Sequence, residues 1–514
     1  MCITSGQPHA LPAVYYRFGK AAFYGGFFPA CTTLKYCNFE KKQIAAMLIK
    51  QMYTGCLSEA AYFIASDGEA AVIDPLRDTA AYLEIAAQTG SVIRYIFETH
   101  FHADFVSGHL DLAEKTGAQI VFGPQAATEY RVHIARDGEE FQLGKIKLQL
   151  LHTPGHTIES SCYLLYDEAG KPYCLFTGDT LFVGDVGRPD LSSGGFSAEE
   201  LAGYLFDSLQ QKIKPLPDDL IIYPAHGPGS ACGKQIGKET FSTLGEQKQT
   251  NYALLTDDKQ TFIEKVTHGL SQAPPYFHIN ARINQKGYEQ LHRVLERSLV
   301  GLTVTEFKQH MQKEQVLCVD TRAPETFVEG FIPGFLNIGL RGRFAEWAGR
   351  LLPYHRPILL VTEPGKEEET ITRLARVGFD SVIGYLQGGF QSWMEAGEPR
   401  DMIISVDPEE FALDIPYDQR MVILDVRHET EHAQAHVRGS INIPLEDMRD
   451  PVSLMHLEDH HNLYVHCETG YRSVIACSLL KQQGIHNLRN IAGGFREIRQ
   501  QPQIEIVEEK NVLN

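Results

Sequence analysis

The sequence predicts a multidomain α/β protein, and three observations carry that expectation. Four apolar, β-rich runs between residues 92 and 226 each deliver a polar residue just past their C-terminal end. Two long segments in the second half of the chain match without a gap at a fixed offset of 105 residues. The apolar fraction of 43% and charged fraction of 22% are those of an ordinary globular chain, and 514 residues are enough for three or four domains that each bury a core.

Residues 1–46 differ from the rest. Up to residue 39 they hold no Asp or Glu, carry Arg17, Lys20 and Lys35, and include the run AAFYGGFFPAC, which is too short to span a bilayer. This extension receives no function. A folded unit is expected to start near Met47, where AYFIASDGEAAVIDP reads as two strands around an Asp67-Gly68 hairpin turn. DTAAYLEIAAQTG then reads as a helix ending at Gly90. VIRYIFETHFH, KIKLQLLHTPGHT, YCLFTGDT and LIIYPAHG are the four strands that present His100, His102 and Asp104, then His156, Asp179 and His226. Loops at one edge of a rigid sheet converge, so this series predicts a metal site more strongly than any single motif does.

The linker, 259–300, is expected to begin as a helix, to be stopped by Pro274-Pro275, and to continue extended against the first domain. Beyond it come the matched segments VLCVDTRAPETFVEGFIPGFLNIGL and VILDVRHETEHAQAHVRGSINIPL. Asp320 and Asp425, Arg322 and Arg427, Asn337 and Asn442, and Gly389 and Gly494 are all 105 residues apart, which indicates a duplicated parallel α/β domain. The boundaries read from the sequence are thus 47–258, 259–300, 301–400 and 401–514.

In the last copy Cys467 closes a strand, the chain turns through Gly470, and Arg472 and Ser473 open a helix. Turn N–H groups and a helix N-terminus favour anions, hence a thiolate at Cys467 that attacks sulfane sulfur and is stabilised as a persulfide. Arg472 is expected to pair with Glu468 or bind an oxyanion. Aligning PILLVTEPGKEEET on NLYVHCETGYRS puts Glu363 at the cysteine position of the middle copy, which is therefore expected to be a scaffold without sulfur-transfer activity.

Residues 47–258 resemble the metallo-β-lactamase fold, an αββα sandwich, and within it the persulfide dioxygenases, through THFHADFVSGH, TPGHT, TGDTLFVGDVGRPD and YPAHGPGSACGK. Both later copies resemble rhodanese domains, the last through CETGYRS. The superfamily pattern HxHxDH is broken at Phe105, which offers no lone pair, so the second metal position has lost a ligand. The resemblance implies one Fe(II) per chain on His100, His156 and Asp179, with His102, Asp104 and His226 orienting ligands, water or substrate. Two imidazoles and one carboxylate on one face leave open positions, as non-haem iron oxygenases require. Arg188 either binds a substrate carboxylate or pairs with Asp190, and Cys232 either approaches the substrate sulfur or is a buried structural thiol.

The activity implied is oxidation of a low-molecular-weight persulfide, such as glutathione persulfide, by O₂ to sulfite, with thiosulfate made at the rhodanese, a route for sulfide detoxification. A glyoxalase-II-like zinc thiolester hydrolase with an attached sulfurtransferase is the alternative. A third reading is a sulfur carrier whose first domain is inert. The net charge of −18, without a Lys/Arg cluster, argues against a nucleic-acid partner, and no membrane segment is expected. Ten cysteines without CxxC spacing read as thiols of a reducing cytoplasm. Self-association is left open.

Overall fold

The structure, a computed structural model, describes residues 47–191, 195–270, 272–313, 315–450, 452–455, 457 and 461–508. The extension 1–46 lies outside the described residues. The first domain is built on β1 (Leu48–Thr54), β2 (Glu59–Ser66), β3 (Glu69–Ile73), β4 (Val92–Phe97), β5 (Gln119–Phe122) and β6 (His133–Ile134), which form one sheet in chain order. A second sheet runs in order from β12 (Ser242–Thr243) through β11 (Ile221–Pro224), β10 (Pro172–Gly178), β9 (Ser161–Tyr166) and β8 (Ile146–His152) to β7 (Glu140–Leu143).

Strand β2 shows why two sheets stack. All eight of its residues are buried. Tyr62 and Ile64 face the second sheet, among Leu148, Tyr163 and Phe176, whereas Ala61 and Phe63 face helix Ala80–Thr89 through Tyr82 and Ile85. Alternation thus feeds two cores at once. Helices Ala198–Ser208 and Lys259–Thr267 cover the outer face of the second sheet through Leu205, Phe262 and Val266, which completes the αββα sandwich. The hairpin turn is where the sequence placed it: Asp67 and Gly68 both have positive φ, 49° and 83°, as a type I′ turn demands.

The linker departs from expectation after Pro275. Instead of an extended segment there is a helix, Phe277–Lys286. Proline is tolerated just before a first turn, and here the Pro274 carbonyl accepts the Phe277 N–H at 3.0 Å while Tyr276 and Phe277 bury their rings.

Both later domains are five-stranded, all-parallel sheets with their strands in the spatial order first, fifth, fourth, second, third. The recurring residues perform the same task in each. Asp320 and Asp425 grip the guanidinium of Arg322 and Arg427, which lies over Phe390 and Phe495 respectively. Asn337 and Asn442 each donate to the carbonyls of that Asp and Arg. One apolar cluster runs from Phe105 and Cys232 through Tyr276 and Phe277 to Phe344 and Leu351 and on to Cys467 and Val474. The middle domain is also tied to the first by Arg77–Asp380 (2.6 Å) and Arg376–Asp78 (2.7 Å).

Candidate metal centre and sulfur-transfer loop

His100, His156 and His226 each have one ring nitrogen anchored outward and the other turned inward. Nδ1 of His100 meets Thr99 Oγ1 at 2.9 Å, Nδ1 of His156 meets the Arg188 carbonyl at 2.8 Å, and Nδ1 of His226 meets the Ser58 carbonyl at 3.1 Å. Such outward bonds fix ring orientation and tautomer in metal sites. Inward, Asp179 Oδ2 lies 3.4 Å from His156 Nε2 and 3.9 Å from His100 Nε2, and its Oδ1 lies 3.6 Å from His226 Nε2. Both Asp179 oxygens are buried without a hydrogen-bond partner, as are those of Asp104 and Nε2 of His226. Buried polar atoms left without partners are costly, so convergent orphans of this kind fit a cation. Burial first, and then His102, His156 and His226, push the His100 pKa well down, keeping a neutral imidazole for ligation.

His100, His156 and Asp179 form one grouping able to hold an ion, and His102, Asp104 and His226 form another. His102, however, also belongs to a third, with Asp74 and Glu98. Its Nε2 lies 3.0 Å from Asp74 Oδ1 and 3.5 Å from Glu98 Oε2, and against the effect of burial these carboxylates raise its pKa to about 10. Asp74 and Glu98 therefore compete with an ion for His102 Nε2. Phe105 stacks on the His102 ring with centroids 4.3 Å apart and is fully buried.

Several supporting residues were missed in the sequence. Asp74 accepts from Thr99 N (2.8 Å) and Thr99 Oγ1 (2.9 Å), and Thr99 in turn holds His100. It follows β3 directly, the same strand-then-polar device as the other four, but had been read only as part of the hairpin. Asn284 of the linker helix donates to the carbonyls of His102 and Phe105, both at 2.8 Å, and accepts the Ser107 N–H at 2.9 Å. The Val106 N–H is bonded to the Arg376 carbonyl of the middle domain at 2.7 Å. No local pattern announces either of these long-range contacts.

Arg188 is 3% exposed and holds Asp190 with two bonds of 2.7 Å, the loop-holding half of its expectation, while its carbonyl orients His156. Cys232 is 1% exposed, its Sγ grouped with Asp179 and His226, and burial pushes its thiol well up. The seven cysteines among the described residues are free thiols.

In the last domain Cys467 follows strand Asn462–His466 and precedes helix Tyr471–Gln482, with Gly470 at φ 103° between them. The Gly470 N–H points at Cys467 Sγ (3.2 Å), and Ser473 Oγ lies 3.7 Å away. Arg472 pairs with Glu431 at 2.6 and 2.8 Å, not with Glu468, which is taken by Arg427 at 3.3 Å. The helix start aims Arg472 toward helix Glu429–Gln434, leaving Glu468 beside the already buried Arg427.

The middle loop also needs correction. Asp320 pairs with Val361 exactly where Asp425 pairs with His466 in the sheet register, so Thr362, not Glu363, occupies the position of Cys467. The offset of 105 persists through the loop, which brings Glu363 onto Glu468 and Glu367 onto Arg472. The consequence for chemistry is unchanged, because a hydroxyl there lacks the sulfur nucleophile.

Among comparisons with known proteins, the Metallo-beta-lactamase superfamily profile matches residues 54–226, and the Rhodanese-like domain profile matches residues 303–396 and 407–501. The mitochondrial persulfide dioxygenase ETHE1 of Homo sapiens is 31% identical over 211 residues, which cover 40% of this chain and 76% of that protein. A probable hydroxyacylglutathione hydrolase of Schizosaccharomyces pombe is 30% identical over 180 residues, 34% of this chain and 66% of that one. The crystal structure of a metallo-beta-lactamase from Staphylococcus aureus superposes with a TM-score of 0.60 at 36% identity, over 66% of this chain and 99% of that one. Through its first domain the chain belongs to the persulfide dioxygenase family of the metallo-β-lactamase superfamily, and two rhodanese-like domains follow that domain.

Proposed function

We propose that the chain is an iron-dependent persulfide dioxygenase and sulfurtransferase that converts low-molecular-weight persulfides to thiosulfate. The observation that carries this reading is the set of converging ligand atoms, Nε2 of His100 and His156 with Asp179, next to a second set that Phe105 and the carboxylate-held His102 leave incomplete. When bound there, Fe(II) would supply O₂ activation and a seat for the persulfide sulfur.

The surrounding residues bind, orient and exclude water. Thr99, the Arg188 carbonyl and the Ser58 carbonyl hold the three imidazoles, and Phe105, Phe182 and Tyr276 form a dry apolar wall in the same cluster as Cys232. The balanced reaction is RSSH + O₂ + H₂O → RSH + SO₃²⁻ + 2H⁺. At the last domain, Cys467 Sγ attacks the outer sulfur of a second persulfide, breaking its S–S bond and releasing RSH. Sulfite then attacks that outer sulfur on Cys467, forming thiosulfate and restoring the thiol. The Gly470 N–H and the helix N-terminus stabilise the sulfur anion before and after transfer.

Glutathione persulfide is the proposed substrate, with sulfide detoxification in a reducing cytoplasm as the setting. Anaerobic purification, iron quantification, and product analysis with and without O₂ test the reading. One iron per chain with O₂-dependent sulfite is expected, and Cys467→Ser keeps sulfite while losing thiosulfate. Turnover undiminished under argon, or two zinc ions per chain, overturns it. The zinc thiolester hydrolase is the second reading, favoured by the survival of Asp104 and His226 as a grouped pair.

A further inference from the structure

The loop of the middle domain that lost its sulfur nucleophile opens onto the first domain. Between them lies a cleft of about 720 Å³, bordered on one side by residues 53–56 and on the other by Leu340–Arg343, Glu363, Lys366 and Arg373. Five of its lining residues are cationic (Arg341, Arg343, Lys366, Arg373 and Arg376) and two are acidic (Glu363 and Glu369), a local excess of positive charge in a chain of net charge −18. Arg341 is exposed and makes no hydrogen bond or ion pair within the described residues, whereas Arg376 is committed to Asp78, and Lys366 and Arg373 share the carboxylate of Glu369.

Arg343 connects this cleft to the metal centre. It bonds the Gly229 carbonyl, in the loop between His226 and Cys232, and pairs with Glu346. It also lines a narrow crevice of about 10 Å³ shared with Asp104, Leu57, Tyr276 and Glu346. Size and charge therefore coincide in an open basic cleft large enough for a small-molecule ligand, and Arg343 lines both this cleft and the crevice that Asp104 lines.

We propose that the cleft docks the anionic end of the persulfide substrate, a thiol carrier bearing two or more carboxylate or phosphate charges, with Arg341 and Lys366 as specificity-determining contacts and the sulfur end directed past Arg343. The proposal rests on the persulfide dioxygenase reading and assigns the middle domain a binding task in place of its lost catalysis. Steady-state O₂ uptake on the iron-loaded full chain tests it with two substrates, glutathione persulfide and the persulfide of 2-mercaptoethanol, whose carrier bears no charge apart from the persulfide group itself.

Arg341→Ala and Arg341→Glu with Lys366→Glu are expected to raise KM for glutathione persulfide about tenfold or more, with kcat retained and the neutral carrier unaffected. Added salt should raise the wild-type KM for the charged carrier alone. Competitive inhibition by pyrophosphate stronger than by citrate would point to a phosphate-bearing carrier, and the reverse order to a carboxylate-bearing one. Equal effects on both carriers, an unchanged KM, or inhibition by neither anion overturns the docking site. Absence of O₂ uptake by the wild type with either carrier instead overturns the underlying reading. Thermal melting of each variant separates loss of fold from loss of docking.

Discussion

Removing the Asn284 amide should loosen the metal loops from a distance. This side chain is 1% exposed and satisfies three backbone groups, the carbonyls of His102 and Phe105 at 2.8 Å and the Ser107 N–H at 2.9 Å. A net hydrogen bond contributes about 1 kcal/mol, and each buried group left orphaned costs about 1–3 kcal/mol. With three groups orphaned and partial relaxation, Asn284→Ala should lose about 3–5 kcal/mol. Asn284→Asp keeps the acceptor for Ser107 but sets a carboxylate against two carbonyls, so it should fare no better. Urea unfolding followed by fluorescence measures the loss, and competition with a chelator measures iron affinity. Both should fall together, because the same loop carries His100 and Asp104. A loss below about 1 kcal/mol, or a large loss with iron affinity unchanged, would refute the coupling of the linker helix to the centre.

Two further outcomes concern the rhodanese-like domains. Despite burial, the Arg472 guanidinium holds the Glu431 carboxyl below its ordinary value, so the pair's stabilisation is present above the ordinary glutamate range and is lost as pH falls through the depressed folded value. For this partly exposed pair the amount is about 1 kcal/mol, and Glu431→Gln should flatten the pH dependence of unfolding below about pH 4.5 without changing it at pH 7. Thr362→Cys in a Cys467→Ser background should leave thiosulfate cleavage at background level, because Glu367, Glu368 and Glu369 occupy the first helical turn where the last domain has Arg472 and Ser473. Measurable sulfur transfer by that variant would show that the acidic turn is no obstacle.

The sandwich, the duplication and the convergence of His100, His156, Asp179 and His226 were legible because they rest on period-two burial, a fixed repeat and strand-end loops. Cys467 was legible for the same reason: strand, turn and helix start are adjacent in sequence. What escaped was long-range or off by one residue. Asn284 reaches the metal loop across 179 residues to Phe105, and nothing in FHINARINQK marks one asparagine as a buried anchor. Glu431 as the Arg472 partner depends on which way a helix start points. Thr362 was within reach of the sequence, since the fixed offset of 105 puts it opposite Cys467, and the sheet register agrees. The helix after Pro275 was hidden because a proline pair stops one helix as readily as it starts another.

The incomplete second grouping can be tested by restoring what Phe105 removed. Asp104 and His226 lie 3.5 Å apart with buried, unpartnered donors, and His226 Nε2 lies 3.6 Å from Asp179 Oδ1. Burial raises the Asp104 pKa against the opposing effect of His226 and His102. A neutral imidazole at 105 would add the missing lone pair to this set. It would cost about 1–3 kcal/mol, since a polar ring replaces a fully buried phenyl, and a second ion would offset that cost. Phe105→His should therefore bind up to two zinc ions per chain, shown by mass spectrometry of the native protein, and should melt higher with zinc than without. It should also lose O₂-dependent sulfite production as thiolester hydrolysis appears. A stoichiometry still at one, with undiminished dioxygenase activity, would mean that the engagement of His102 by Asp74 and Glu98, and not the phenyl ring, keeps the second position closed.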